Sequence, residues 1–297
     1  MYNGIINVYK EKGYTSFDVV AKLRGILHQK KIGHTGTLDP DAEGVLPVCL
    51  GQATKLVSLL TEKTKEYICE LRLGVRTDTE DMSGRVLDKS EDIPGEEEVK
   101  KAISSFTGEI DQIPPMYSAI KQNGKRLYEL ARAGETVERQ PRRIVIHGIE
   151  ILKVELPLVT MKVSCGSGTY IRSLCRDIGD KLSCGGAMQS LIRTQSGDFY
   201  IKDALKLSEI ERLVSEEKLD EKLVSLETAF GAYPYVRVKN SAEKKLKNGN
   251  ALNVEETEGL VSGYKGKCRM YDSNGRFTAV YETEESNLKC FMYFGDT

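Results

Sequence analysis

The stretch from Ile32 to Pro47 constrains this chain most. Gly33, Gly36 and Gly44, with Gly51 at the next turn, stand beside Pro40 and Pro47, and residues that permit or force turns at that density favour an ordered loop over a helix. Pro40 restricts Asp39 to extended backbone, so the carboxylate projects from a stiff segment. A rigidly held acid suits covalent or electrostatic catalysis; read from these residues alone, however, an Asp before Pro is first an ordinary turn former.

Hydrophobic periodicity places elements around this loop. Residues 4 to 9 read as a short strand, and Ser16 is the expected cap of a helix whose apolar positions are Val19, Val20, Leu23, Ile26 and Leu27. Leu46 to Leu50 reads as a buried strand, and 53 to 60 as a helix. Residues 65 to 73 alternate, with Tyr67, Cys69, Leu71 and Leu73 on one face, the pattern of a half-buried strand. A helix is expected over 96 to 106, strands near 143 to 155 and 158 to 165, and a helix opening at Thr169 with Ile171, Leu174, Cys175, Ile178 and Leu182 as its stripe. Past an acidic helical region, 208 to 227, Pro234 marks a linker into a β-rich module broken by glycines. Periodicity by itself supports the class α+β.

With 297 residues and a formal net charge of -1, the chain is neither disordered by composition nor uniformly basic. Any nucleic-acid site must come from local segregation of charge. Asp78 to Glu98 holds nine acids against Arg85 and Lys89 and reads as a solvated excursion that RNA avoids. Residues 121 to 143 hold seven bases (Lys121, Lys125, Arg126, Arg132, Arg139, Arg142, Arg143) against three acids, with Tyr117 and Tyr128 interleaved, and are the expected RNA-facing segment. Seven cysteines without a C-x-x-C pair suit reduced thiols. No signal peptide or membrane span is expected, and the location expected is cytoplasmic.

The string Gly33-His34-Thr35-Gly36-Thr37-Leu38-Asp39-Pro40, continuing to Gly44-Val45-Leu46-Pro47, resembles the catalytic motif of the tRNA pseudouridine-55 synthases. Lys65-Glu66-Tyr67, Pro114-Pro115-Met116-Tyr117-Ser118-Ala119, Gly168-Thr169-Tyr170-Ile171-Arg172-Ser173 and Leu191-Ile192-Arg193 resemble further segments of that family in the same order. The resemblance implies a mixed, largely antiparallel sheet flanked by helices over residues 1–232, with an RNA-binding insertion at about 111–143. It also implies a small PUA-like RNA-binding domain over 233–297.

It further implies isomerisation of uridine to pseudouridine in the tRNA T loop by base flipping, with Asp39 as the essential carboxylate. That reaction breaks the bond from C1' to N1, turns the uracil and joins C1' to C5, so no cofactor and no metal are expected. Whether Asp39 bonds to C1', adds to the base or helps form a glycal stays open. Arg172 matches the family's partner of the acid, and Tyr67 an active-site ring able to stack on the base. His34 resembles the residue that fills the vacated space, Tyr170 and Leu191 are expected pocket walls, and Lys55 matches a lysine near the substrate backbone. Read without the family, Arg172 and Lys55 are surface cations, Tyr67, Tyr170 and Leu191 are core, and His34 is a loop residue bonded to its own backbone.

The expected partner is the tRNA T stem-loop, met by a monomer without an obligate protein, guide RNA or membrane; assistance to tRNA folding is a second expected activity. Two rivals are weighed. A metal-dependent or two-carboxylate hydrolase would use Asp39 and Asp41, or Asp78, Glu80 and Asp81, but the three histidines have no ligand spacing. A non-catalytic protein that reads the T arm by shape would not need Asp39, Tyr67 and Arg172 together.

Overall fold

A computed structural model describes residues 1–122, 124–261, 263–285 and 287–295. In chain order it begins with β1 (Gly4–Lys10), α1 (Ser16–Ile26), β2 (Ile32–His34), β3 (Glu43–Leu50), α2 (Val57–Thr61) and β4 (Lys65–Leu73). A hairpin, β5 (Val75–Thr77) and β6 (Val86–Lys89), leads to α3 (Glu96–Ser104) and β7 (Gly108–Gln112). A second small hairpin, β8 (Lys121–Gln122) and β9 (Lys125–Arg126), precedes α4 (Leu127–Arg132), β10 (Arg142–Glu155), β11 (Leu158–Cys165), α5 (Ile171–Lys181), β12 (Gly186–Ser196) and β13 (Phe199–Tyr200).

The main sheet has nine strands in the order β1-β3-β12-β4-β11-β10-β7, with β2 added to β3 and β13 to β12. All its pairs are antiparallel except β12 with β3. β4 shows why the middle of the sheet is stable: its residues alternate buried and half-buried along the strand, as the spacing of Tyr67, Cys69, Leu71 and Leu73 predicts. One core joins these side chains to α3 and α5 through Val99, Ile103, Leu174 and Ile178. A second joins Ile6, Val8, Val48 and Leu50 to α1 and to α6 (Leu207–Ser215).

α5 lies against β12 because neither has a side chain at the crossing. A Cβ on Gly179 would stand 2.1 Å from the Gly186 nitrogen. Past α7 (Leu226–Ala229) come β14 (Tyr235–Val238), α8 (Glu243–Lys247), β15 (Leu252–Asn253), β16 (Thr257–Glu258), β17 (Lys267–Tyr271), β18 (Phe277–Glu284) and β19 (Asn287–Tyr293). These six strands form a separate sheet with its own core of Val236, Leu246, Met270, Tyr281 and Leu288. A further cluster bridges the two sheets: Ile5, Val45, Cys49 and Phe199 meet Phe230, Val280 and Phe294.

Several expectations are corrected. Thr15, not Ser16, caps α1: its side chain accepts the Asp18 N–H and the Asp18 carboxylate accepts the Thr15 N–H, the reciprocal pair that an acid three residues on allows. The turn-rich stretch is shorter than its glycines suggest, because Ile32–His34 and Glu43–Leu50 are strands and only 35 to 42 is loop. The expected helix at 53 to 60 is a 3-10 turn over Gly51–Leu56 followed by α2. The acidic excursion is not solvated throughout, since Glu80 is buried.

Candidate active site

The loop 35 to 42 is held from several sides before any functional group is considered. The Thr35 N–H and hydroxyl both donate to the Pro47 carbonyl, at 3.0 and 3.2 Å. Lys10 at the end of β1 is fully buried. Its ammonium donates to the carbonyls of Ala42 at 2.6 Å, Pro40 at 3.1 Å and Glu11 at 3.3 Å, and burial pushes its pKa down to about 8. Such an arrangement satisfies both the buried cation and the turn's carbonyls. The Gly13 N–H also donates to Pro40, at 2.9 Å.

Asp39 leaves this loop half-buried, with 35% of its side-chain surface accessible. Arg172, in the first turn of α5, meets it in a fork: Nε lies 2.9 Å from Oδ2 and Nη2 donates to Oδ1 at 3.1 Å. The same guanidinium donates to the carbonyls of Thr79 at 3.0 Å and Tyr117 at 2.9 Å. Arg172 is buried, so this is no surface arginine, and all three of its guanidinium nitrogens make contacts. Asp81 Oδ2 approaches Arg172 Nε at 3.7 Å, which makes the group a carboxylate–guanidinium–carboxylate trio. Burial raises the Asp39 pKa, Arg172 opposes that rise, and the Asp81 charge adds to it.

Asp81 is the site residue that reading the sequence assigned to solvent. A signal was present: Thr77, Thr79 and Ser83 flank it, and hydroxyls at that spacing fold a short acidic segment back on itself. The hydroxyls of Thr79 and Ser83 donate to Asp81 Oδ1, at 2.7 and 2.5 Å, and the Thr77 hydroxyl donates to its carbonyl at 2.6 Å. Neighbouring Glu80, in left-handed backbone at φ 64°, accepts from the Ser173 hydroxyl at 2.6 Å and pairs with Arg176 of α5. Glu80 and Asp81 therefore serve α5, whereas Asp78 accepts the Arg85 N–H at 2.8 Å, and among the described residues no group of three or more His, Cys, Asp or Glu is arranged to hold a metal ion.

Tyr67 on β4 is buried, opposite Val163 of β11 and Arg193 of β12. Burial raises the pKa of its phenol, and the Arg193 guanidinium opposes that rise. Tyr67 and Leu191 share one hydrophobic cluster with Leu38 and Ala42 of the Asp39 loop. His34 ends β2, half-buried, with its Nδ1 buried and without a hydrogen-bond partner; burial and the Arg193 charge lower its pKa.

Tyr170 immediately precedes α5, which begins two residues after the expected opening at Thr169. Gln112 at the end of β7 fixes it in two places. The Tyr170 N–H donates to Gln112 Oε1 at 2.9 Å, and Gln112 Nε2 donates back to the Tyr170 carbonyl at 3.1 Å.

The remaining expected contacts divide. Lys55 is exposed and its ammonium donates 2.6 Å to the Tyr293 carbonyl of the smaller sheet, so it links the two sheets and is not brought into the Asp39 group. Of the seven bases at 121 to 143, Lys121, Lys125, Arg126, Arg132, Arg142 and Arg143 are exposed. Arg126 and Arg132 flank the Tyr128 ring at 5.8 and 5.5 Å. Arg139 instead turns inward, donating to the Pro114 carbonyl at 2.8 Å with Glu80 at 3.9 Å, and Arg143 is paired with Asp111 at 2.7 Å.

Comparison with known proteins matches residues 24–171 to the family model for the TruB family pseudouridylate synthase N-terminal domain, and 172–231 to that for the tRNA pseudouridylate synthase B C-terminal domain. The six-stranded sheet lies beyond both. A tRNA pseudouridine synthase B from Lachnoclostridium phytofermentans is 56% identical over 98% of each chain. One from Bacillus licheniformis is 43% identical over 95% of this chain and 93% of its own. Among solved structures, a Cbf5-Nop10-Gar1 complex contains a chain with TM-score 0.73 and 28% identity, over 99% of this chain and 87% of that one. An H/ACA RNP bound to a substrate RNA containing 2'-deoxyuridine contains another with TM-score 0.73 and 27% identity, over 98% of this chain and 84% of that one.

Proposed function

The chain belongs to the TruB family of pseudouridylate synthases, and from that premise we propose the reaction in full: isomerisation of uridine to pseudouridine at position 55 of the tRNA T loop, with Asp39 as the essential carboxylate. The observation that carries the residue assignment is the forked Asp39–Arg172 pair on a loop fixed by buried hydrogen bonds.

When the C1'–N1 bond breaks, positive charge develops at the sugar carbon, as in glycoside cleavage, and an ionised carboxylate beside it stabilises or captures that centre. Arg172 keeps the acid ionised and aimed. Tyr67 supplies a ring on which the displaced uracil stacks, a contact worth about 1 to 3 kcal/mol for one base, and a hydroxyl that can take part in moving the proton from C5. Tyr170 and Leu191 wall the pocket, and His34, with a free ring nitrogen at the loop's edge, occupies the space the flipped nucleotide leaves.

The exposed bases around Tyr128 grip phosphates of the T stem. We read residues 1–232 as the catalytic domain and 233–297 as a PUA-like RNA-binding domain, with Lys55 lending its charge to the boundary between them. The enzyme acts as a monomer in the cytoplasm on tRNA alone; relatives named tRNA pseudouridine synthase B match it over nearly their whole length, and no helix of the described residues is long and apolar enough to cross a membrane. Flipping a base loosens tRNA tertiary contacts, so assistance to tRNA folding independent of Asp39 is a second activity of the same surface.

The test is tritium release from tRNA transcripts labelled at C5 of uridine, with no metal cofactor beyond what tRNA folding needs. Release of one tritium per tRNA, lost in Asp39→Asn and when the target uridine becomes cytidine, is the expected result. Tight binding without release would overturn the enzyme assignment in favour of an RNA-folding protein.

A further inference from the structure

Arg193 is a cation buried to 1% exposure in the middle of the main sheet, and among the described residues no carboxylate forms an ion pair with it. A core position needing only volume takes Leu or Met, because an uncompensated buried charge is strongly unfavourable. What surrounds this guanidinium explains its presence. On β12 it stands opposite Gly44 of β3 and Tyr67 of β4. Its Nε donates to the Val45 carbonyl at 2.6 Å and its Nη2 to the Gly36 carbonyl at 3.3 Å, one acceptor on each side of the Asp39 loop. Tyr67 and Arg193 are directly paired across β4 and β12, so their side chains leave the same face of the sheet, and the guanidinium charge lowers the phenol's pKa against the effect of burial.

The backbone is shaped to admit this side chain's strand. Gly44 has φ 104°, and a Cβ there would stand 2.2 Å from the Arg193 carbonyl. Lysine has one point charge and no planar fork, so it cannot reach the acceptors on both sides of the loop with the same geometry.

We infer that Arg193 is a positioning residue for the reaction: its guanidinium ties both ends of the Asp39 loop to the Tyr67 phenol and so fixes the acid and the ring relative to each other across the flipped base. The inference rests on the reading of Asp39 and Tyr67 given above. Arg172 aims the acid from the α5 side, whereas Arg193 holds it from within the sheet, and through Tyr67 rather than by touching the reacting atoms.

The experiment uses the full chain with tyrosine labelled with carbon-13 at Cζ, the Tyr67 resonance being assigned by its loss in Tyr67→Phe. Arg193→Met should move that resonance, leave that of Tyr200 in place, and lower the single-turnover rate of tritium release by about tenfold or more with tRNA affinity within about threefold. Arg193→Lys should recover part of the rate. If Arg193→Met does not fold, Arg193→Lys carries the same two readouts, with a smaller displacement and loss. An unmoved Tyr67 resonance, or a wild-type rate, overturns the inference. Loss of wild-type turnover itself would instead sink the function on which it rests, and the resonance separates the two failures because it is read without substrate.

Discussion

Ser16 and Leu38 exchange two hydrogen bonds: the Leu38 N–H donates to the Ser16 hydroxyl at 2.8 Å, and that hydroxyl donates to the Leu38 carbonyl at 3.3 Å. The first turn of α1 is thereby fastened to the residue that precedes the acid, which is what Ser16 does in place of capping its own helix. Ser16→Ala leaves a buried N–H unpaired, a loss of roughly 1 to 3 kcal/mol. We expect a lower Tm and a reduced kcat with an unchanged KM for tRNA. An unaltered kcat in steady-state assays would show that Asp39 is held without this staple.

Arg172→Lys keeps the charge and discards the fork. A charge-assisted hydrogen bond contributes about 1.5 to 3 kcal/mol, so the rate should fall by roughly 10- to 150-fold. Filter binding should find tRNA affinity unchanged, because phosphate contacts made elsewhere supply most of it. A defect confined to affinity would place Arg172 on the RNA and not on the acid.

The pH dependence follows from the trio of Asp39, Arg172 and Asp81. Asp39 acts as a carboxylate, and burial holds its pKa above the ordinary value, so activity is present above the raised pKa and is lost as pH falls through it. Asp81 contributes to that rise. Asp81→Asn therefore moves the acidic limb of the rate profile to lower pH, even as removing the second carboxylate beside Arg172 lowers the plateau. Single-turnover rates from pH 5 to 8 decide it; a limb displaced upward would mean that Asp81 stabilises the ionised acid instead.

How much of this was legible in the sequence differs from residue to residue. The burial of Tyr67 is announced by alternation along β4, and the stiffness of the backbone at Asp39 by its proline; the role of each came only from the resemblance. Arg172 required the resemblance, since burial of a charged side chain in a first helical turn depends on which acids and carbonyls the tertiary fold brings there. Asp81 was misplaced because nine acids in one stretch look solvated, while two of them fold back through hydroxyl contacts onto α5. Arg139 erred the other way: counted among outward bases, it turns toward Glu80 and Pro114, a choice no charge count reveals.

That difference can be measured on the basic segment. Replacing Lys125 and Arg126 together with Ala should weaken tRNA binding and reduce the slope of log affinity against log salt by about 1 for each phosphate no longer neutralised. Arg139→Ala should leave that slope alone and lower Tm, since it removes an inward hydrogen bond. Equal salt slopes for all the variants would show that RNA does not lie on this face.

The cluster shared by the two sheets, in which Val45 and Cys49 meet Val280 and Phe294, bears on how such a protein can change over generations. Val45 and Cys49 sit on the strand that follows the Asp39 loop, and they share one buried cluster with Val280, on the face of β18 opposite the Ala279 and Tyr281 of the smaller sheet's own core. A lineage cannot shed or exchange that sheet as it would a tethered appendage, because the swap would strip apolar cover from the strand behind the acid. A change of volume on one side of the seam costs stability unless the other side repacks around it.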